Sequence, residues 1–331
     1  MHRYLSLLLV LLAFAANAQQ HTGNIPANYR HFELPFQDDN VQVLVKSAPG
    51  EELKPKPLFL FCQGSLPVPL FFRWNDGSIH DAFVFNTDSL TRDYHLVIIG
   101  KPFIPVMSEQ SALQSDLTYV DSTGRFPLAY DLHNRLDYYV ARNKFVVRYL
   151  LKQSWADKRG VVLAGHSEGS TVAAKLATEL PETEALIYAA GNPMGRMMTI
   201  VARERAKDTD SSSAVDDSFN YWKQVIADSS EMVKLQGDMT KTMYQFSRPP
   251  MRYLLKLKVP VLVYYGSKDA GALFNDYFHL ECIRLGLKNF SFRALPGTEH
   301  NFFPLKADGT VNYDVFNWDK VVSEWRAWLS K

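Results

Sequence analysis

The sequence predicts an α/β protein built on a doubly wound, mostly parallel sheet. Apolar runs of buried-strand type recur along the chain, at 58–62, 95–100, 161–166, 184–191, 259–265 and 290–295. Segments with helical periodicity lie between or after them, at 137–153, 171–180 and 315–330. Strands that alternate with helices favour a parallel sheet covered on both faces. Residues 41–46 alternate between apolar and polar side chains, which indicates one further, earlier strand.

Three longer segments interrupt this alternation. Residues 66–93 form an aromatic-rich connection, and 103–130 has the composition of a loop. The interval 192–256 separates two predicted sheet strands and holds several helix-like runs, together with a polar stretch at 208–217. We therefore expect the sheet to be interrupted by an inserted unit at 192–256.

The first 18 residues predict a secretory signal peptide. Arg3 precedes an apolar run at 5–16 that is short for a bilayer span, and Ala16-Asn17-Ala18 forms an A-x-A cleavage site. The alternative is an uncleaved membrane anchor. We expect cleavage after Ala18 and a mature domain at 19–331 that is secreted or periplasmic. No other segment has the character of a transmembrane helix, so no stable membrane anchor is expected in the mature protein.

Composition narrows the classes of partner and cofactor. The chain of 331 residues has a net charge of +1 and no basic run, so a nucleic-acid partner is not indicated. Its two cysteines, Cys62 in a predicted strand and Cys282 in a helical segment, are expected to be free and buried. No pattern of a metal site or nucleotide-binding loop occurs in the sequence, so we expect neither a metal nor another cofactor.

The segment Gly165-His166-Ser167-Glu168-Gly169 joins a predicted strand directly to a predicted helix. Glycines at 165 and 169 allow a sharp turn and close packing of the helix on the strand, which leaves the Ser167 hydroxyl at the apex. The N–H of Glu168 then lies at a helix N-terminus, where it can stabilise an anion. The alternative is an ordinary glycine-rich turn with a capping serine.

An acid and a histidine follow two later strands. Asp269 comes after the strand at 259–265, and His300 comes after the strand at 290–295 and a Pro-Gly turn. Parallel sheets place their chemistry at the carboxyl ends of the strands, so both side chains should lie near Ser167. Taken singly, Asp269 fits a helix N-cap and His300 fits a surface loop.

Together these segments resemble the α/β-hydrolase superfamily. The resemblance implies a nucleophilic Ser167 on a nucleophile elbow, His300 as its base and Asp269 as the acid that orients the base, in the chain order Ser, Asp, His. It also implies an oxyanion hole formed by the backbone N–H groups of Glu168 and Ser65. Ser65 follows the strand at 58–62 in a Gln-Gly-Ser loop, where many members have His-Gly.

The resemblance further implies that 192–256 is a helical cap over the active site. Seven of the nine methionines fall there, which is compatible with an adaptable apolar pocket or, more simply, with gap filling between short helices. A cap that binds a substrate amine would need inward-facing acids, for which Glu204, Asp216, Asp217 and Glu231 are candidates.

The expected function is that of an exported serine hydrolase, carboxylesterase-like, which cleaves a carboxylic ester through an acyl-enzyme without a cofactor. The first alternative is a hydrolase of small peptides or aminoacyl groups, so that the partner is a small-molecule ester or a short peptide. The second alternative is a non-catalytic binding protein, since a fold does not guarantee an activity. We prefer catalysis because all three triad positions are occupied.

Overall fold

An eight-stranded sheet forms the centre of the protein in a computed structural model that describes residues 25–209, 213–235 and 237–331. Its strand order is β1-β2-β6-β3-β8-β9-β10-β11, and a small second sheet has the order β5-β4-β7. The strands are β1 (Tyr29–Phe36), β2 (Asp39–Lys46), β3 (Lys56–Cys62), β4 (Phe71–Arg73), β5 (Ile79–Asp81), β6 (His95–Ile99), β7 (Met107–Glu109), β8 (Ala156–His166), β9 (Thr183–Ala189), β10 (Val261–Gly266) and β11 (Phe290–Leu295).

The large sheet is mostly parallel. Strands β6, β3, β8, β9, β10 and β11 pair with their neighbours in parallel, whereas β2 pairs antiparallel with both β1 and β6. The carboxyl ends of β8, β10 and β11 therefore lie at one edge. This arrangement confirms the predicted α/β class with a mostly parallel sheet.

Helices cover both faces of the sheet. They are α1 (Asp88–Thr91), α2 (Leu128–His133), α3 (Leu136–Leu150), α4 (Glu168–Glu179), α5 (Arg196–Arg205), α6 (Ala214–Ala227), α7 (Thr240–Ser247), α8 (Met251–Leu254), α9 (Ala272–Arg284) and α10 (Trp318–Leu329). Side chains of α3, α4 and α9 share one core cluster with Leu58 and Leu60, whereas α10 packs with Phe59 and Phe61 on the other face. Successive side chains of β3 thus point to opposite faces of the sheet and contribute to the hydrophobic core on each face.

The predicted strands and main helices occur with modest shifts in their ends. Strand β8 begins five residues before the predicted start at 161, and α4 begins at 168 rather than 171. Two features were missed. Strand β1 precedes the first predicted strand, and the presumed connections at 66–93 and 103–130 contain the short strands of the second sheet.

The described residues of the interval 192–256 form four helices, α5 to α8, between β9 and β10. Helices α5, α6 and α7 pack against one another. Of the methionines here, Met197, Met239 and Met243 are buried and Met198 is exposed. This unit lies beside the carboxyl end of β8, because residues of α5 share a cavity with Ser167.

Three further sequence expectations concern export, metals and cysteines. The predicted signal peptide at 1–18 lies outside the described residues. Within the described ranges, no helix combines the length and apolar character needed to cross a bilayer, and no group of three or more His, Cys, Asp or Glu side chains is arranged around a possible metal ion. Cys62 and Cys282 are both free and buried.

Candidate active site

Ser167 lies at a strained turn between β8 and α4. Its backbone has φ of +56° and ψ of −124°, an unusual combination for a residue with a Cβ atom. Close packing forces this turn, because a Cβ at Gly165 would overlap the backbone of Gly169, and a Cβ at Gly169 would overlap the carbonyl of Cys62. The turn therefore directs the serine hydroxyl away from the sheet.

The structure brings the three predicted triad side chains together. Nε2 of His300 lies 2.9 Å from Oγ of Ser167, and Nδ1 of His300 lies 2.7 Å from Oδ2 of Asp269. Both contacts are within hydrogen-bond distance, and they use opposite nitrogens of one imidazole ring. With Nδ1 donating to the carboxylate, Nε2 is left to accept the proton of the serine.

Asp269 is buried behind the histidine. Its Oδ1 accepts the N–H of Gly271 at 3.0 Å, and its side chain is 3% exposed. Burial by itself would raise the pKa of Asp269, but the hydrogen bond and charge of His300, together with the Gly271 N–H, lower it below its usual value. The carboxylate is therefore ionised at neutral pH. The helix that follows begins at Ala272 with Gly271 as its N-cap, so Asp269 does not occupy the N-cap position.

His166, which precedes the serine, was not singled out by the sequence analysis. Its Nε2 lies 3.0 Å from the carbonyl oxygen of His300, and its ring packs edge-on against Phe302 and Trp318. Burial and the neighbouring His300 lower the pKa of His166 to about 3, so the ring is neutral. A neutral His166 can donate its Nε2 proton to that carbonyl and so hold the loop that carries His300.

The loop after β3 lies beside the serine, where the second oxyanion donor was expected. A Cβ at Gly64 would lie 3.7 Å from Cβ of Ser167, and the Tyr130 hydroxyl donates a 2.8 Å hydrogen bond to the carbonyl of Ser65. Within the described part of the chain, neither the N–H of Ser65 nor that of Glu168 donates to a protein acceptor. Neither amide is therefore engaged by another group of the described chain.

Ser167 opens onto a cavity of about 330 Å³. Ser65, Glu168 and His300 line it together with Ser167, and Asp269 lies behind His300. None of the seven methionines of 192–256, all of them described, lines this cavity. The four candidate acids Glu204, Asp216, Asp217 and Glu231 do not line it either, although Glu204 and Asp217 line a neighbouring one.

The side chain of Glu168 anchors the elbow to the helical unit, a role that sequence reasoning missed. Its carboxylate bonds to Arg196 of α5 and lies 3.3 Å from the Lys101 ammonium, while Arg196 also bonds to Asp238. Burial raises the pKa of Asp238 and lowers that of Lys101. No local sequence pattern indicated this ion-pair cluster, because its four residues come from four separate parts of the chain.

Comparisons with known proteins support the fold. No protein-family model and no curated protein sequence matches the chain. Among solved structures, it is similar to an acylaminoacyl peptidase of Pyrococcus horikoshii, with a TM-score of 0.50 and 13% identity. The match covers 82% of this chain and 37% of the peptidase. It is also similar to a puromycin-hydrolyzing peptidase of Mycobacterium tuberculosis, with a TM-score of 0.51 and 15% identity. That match covers 83% of this chain and 36% of the peptidase.

The chain thus spans little more than a third of the length of these two peptidases. A provisionally named dienelactone hydrolase of Klebsiella pneumoniae is similar over 91% of this chain and 95% of its own, with a TM-score of 0.50 and 13% identity. At such identities the likeness establishes a shared fold, which is the α/β-hydrolase fold predicted from the sequence.

Proposed function

We propose that this chain, which has the α/β-hydrolase fold, is a serine hydrolase of carboxylic esters. The observation that carries the proposal is the continuous contact from Ser167 through His300 to Asp269, at 2.9 and 2.7 Å, beside an open cavity. A hydroxyl, an imidazole and a buried carboxylate in this order form the arrangement that activates an oxygen nucleophile.

The proposed reaction follows from the atoms in contact. Oγ of Ser167 bonds to the acyl carbon of the ester while its proton passes to Nε2 of His300. The bond from the acyl carbon to the alcohol oxygen then breaks, and His300 returns the proton to that oxygen. A water molecule, deprotonated by His300, cleaves the acyl-enzyme to release the acid and restore Ser167. The charged oxygen formed in each step is held by the N–H groups of Glu168 and Ser65.

Hydrolysis of small peptides or aminoacyl groups remains the second candidate, since the fold also occurs in the two peptidases named above. The cavity wall favours an ester over a substrate with a free amine. Its two carboxylates, Glu168 and Asp238, both bond to Arg196, so their negative charge is already partly compensated and attracts an ammonium group less strongly. We therefore propose an ester without a free amine as the substrate class.

A serine-directed fluorophosphonate probe tests the nucleophile. We expect covalent labelling of the wild type and of Ser154→Ala, which changes an exposed serine after α3, and none of Ser167→Ala. Hydrolysis of p-nitrophenyl butyrate should fall on the order of 10³-fold or more in Ser167→Ala and His300→Ala, and strongly in Asp269→Asn, since triad members act as a unit. Labelling of Ser167→Ala, or full activity of His300→Ala, would contradict the assignment.

Comparison of p-nitrophenyl esters with aminoacyl p-nitroanilides then separates the two candidates. We expect turnover of the esters and little or none of the anilides. The opposite preference would favour the peptidase.

We also propose that the protein is exported after removal of residues 1–18. The proposal is supported by three features of that segment, which are a positive charge near its start, an apolar run and an A-x-A cleavage site at its end.

A further inference from the structure

One face of helix α5 forms one wall of the cavity at Ser167. Arg196, Thr199, Ile200 and Arg203 line the cavity, at the spacing of successive turns on one helix face. Asn192, just before the helix, donates a 2.9 Å hydrogen bond to the Thr199 hydroxyl. Three of these four helical side chains are polar, so this wall of the cavity is suited to a polar group of the substrate.

Most of the charge on this wall is already compensated. Arg196 bonds to the carboxylates of Glu168 and Asp238, and Glu168 also pairs with Lys101 at 3.3 Å. Two cations and two carboxylates thus neutralise one another within a single cluster. A ligand of either charge gains little from these four groups, because their opposite charges already compensate one another.

Arg203 is the exception among the charged side chains of the cavity. It is exposed, and among the described residues it has neither a hydrogen bond nor an ion pair. Its charge acts on Asp269, but that carboxylate already accepts from His300 and Gly271. The cavity therefore presents one guanidinium that has no hydrogen-bonded or ion-paired partner among the described residues, so its donors are free for a ligand.

We propose that the substrate carries a free carboxylate, in addition to the scissile ester, and that Arg203 binds it. The inference rests on the proposed esterase function and specifies its substrate class. A guanidinium presents paired donors that match the two oxygens of a carboxylate, and it binds that group better than an ammonium does. The cavity, at about 330 Å³, is at the small end of ligand sites, which suits a short dicarboxylic half-ester or a carboxylated alcohol.

Two matched pairs of esters test the proposal. In the first, p-nitrophenyl hydrogen glutarate is compared with p-nitrophenyl pentanoate, so that the acyl part differs mainly in charge. In the second, 4-carboxyphenyl butyrate is compared with 4-(methoxycarbonyl)phenyl butyrate, so that the two leaving groups differ in having a free or a methylated carboxyl group. We expect a kcat/KM on the order of 10-fold higher for the charged member of at least one pair, as for a charge-assisted hydrogen bond that is partly exposed to solvent.

Three variants connect that preference with Arg203. Arg203→Gln should bring the ratio of kcat/KM values close to one, and Arg203→Lys should retain part of the preference. The matched control is Arg205→Gln, since Arg205 is on the same helix but pairs with Asp208 and does not line the cavity. The preference should also decrease as salt is added, because Arg203 is exposed.

The ratio separates binding of a carboxylate from an effect of Arg203 on the triad. A change in Asp269 or His300 would alter the rates of both esters in a pair and leave their ratio unchanged. Neutral esters hydrolysed with no preference for a charged one, or a preference that survives Arg203→Gln, would overturn the carboxylate site and leave the proposed function standing. Absence of hydrolysis of all four esters would count against the proposed function itself.

Discussion

Acid should destabilise the protein through His166, the buried neighbour of the nucleophile. Burial and the nearby His300 lower its pKa from 6.5 to about 3 in the folded protein. The unfolded chain therefore binds a proton on this histidine below pH 6.5, whereas the folded protein does not until about pH 3. The stability that the neutral His166 contributes is fully present above the unfolded pKa of 6.5. It is lost as the pH falls from 6.5 to about 3.

The size of the effect follows from the shift. Each pH unit in that window costs about 1.4 kcal/mol for one proton, so a decrease from pH 7 to pH 5, of which about 1.5 units lie in the window, removes about 2 kcal/mol. His166→Gln lacks the titrating group but keeps an amide that can donate toward the His300 carbonyl. We expect this variant to lose about 2 kcal/mol less than the wild type over the same interval.

Urea unfolding at pH 7 and pH 5 measures this difference. Other groups, including the buried His95, titrate in both proteins and cancel when the variant is compared with the wild type. His80→Gln, which changes an exposed histidine on the small sheet, serves as the control and should follow the wild type. Equal losses of unfolding free energy in the wild type and His166→Gln would refute the reasoning.

Two further predictions concern the ion-pair cluster and the amino terminus. Arg196→Met removes a partner from the buried Glu168 and should lower the free energy of unfolding by about 3–5 kcal/mol, whereas Arg205→Met, which breaks a surface pair, should cost about 1 kcal/mol or less in the same urea titration. Similar losses in both would contradict the role of the cluster. N-terminal sequencing of the exported protein should begin at Gln19, following cleavage after Ala18, and a retained leader would contradict the proposed export.

The central strands and the turn at Ser167 were predictable because their determinants are local. A buried parallel strand has a continuous apolar run, such as the one in β8, and the glycines that the turn needs lie within four residues of each other. The second sheet was missed for the opposite reason. Its strands have three residues each, which is too short to show a hydrophobic alternation in the sequence. In addition, β4 and β7 pair across more than thirty residues of the chain.

The ion pairs of the cavity were not predictable from local patterns either. Lys101 follows β6, Glu168 begins α4, Arg196 begins α5, and Asp238 lies in the loop before α7. Charged residues at such positions are usually solvated, and only the meeting of four separate elements turns them into a buried cluster. The sequence analysis accordingly considered Glu168 for its backbone N–H alone and missed the carboxylate that fixes the elbow.

The rotation of α5 about its axis determines which of its side chains face the cavity at Ser167. Two contacts set that rotation, because Arg196 bonds to Glu168 and the N–H of Met197 donates to the Ser247 hydroxyl at 3.1 Å. A turn of about 100°, one residue along the helix, would bring Met197 toward the cavity in place of Arg196. The observed rotation buries Met197 and leaves Arg203 facing the cavity. The same ion pair that holds the elbow therefore places mostly polar side chains, and not Met197, on the wall of the cavity that α5 supplies.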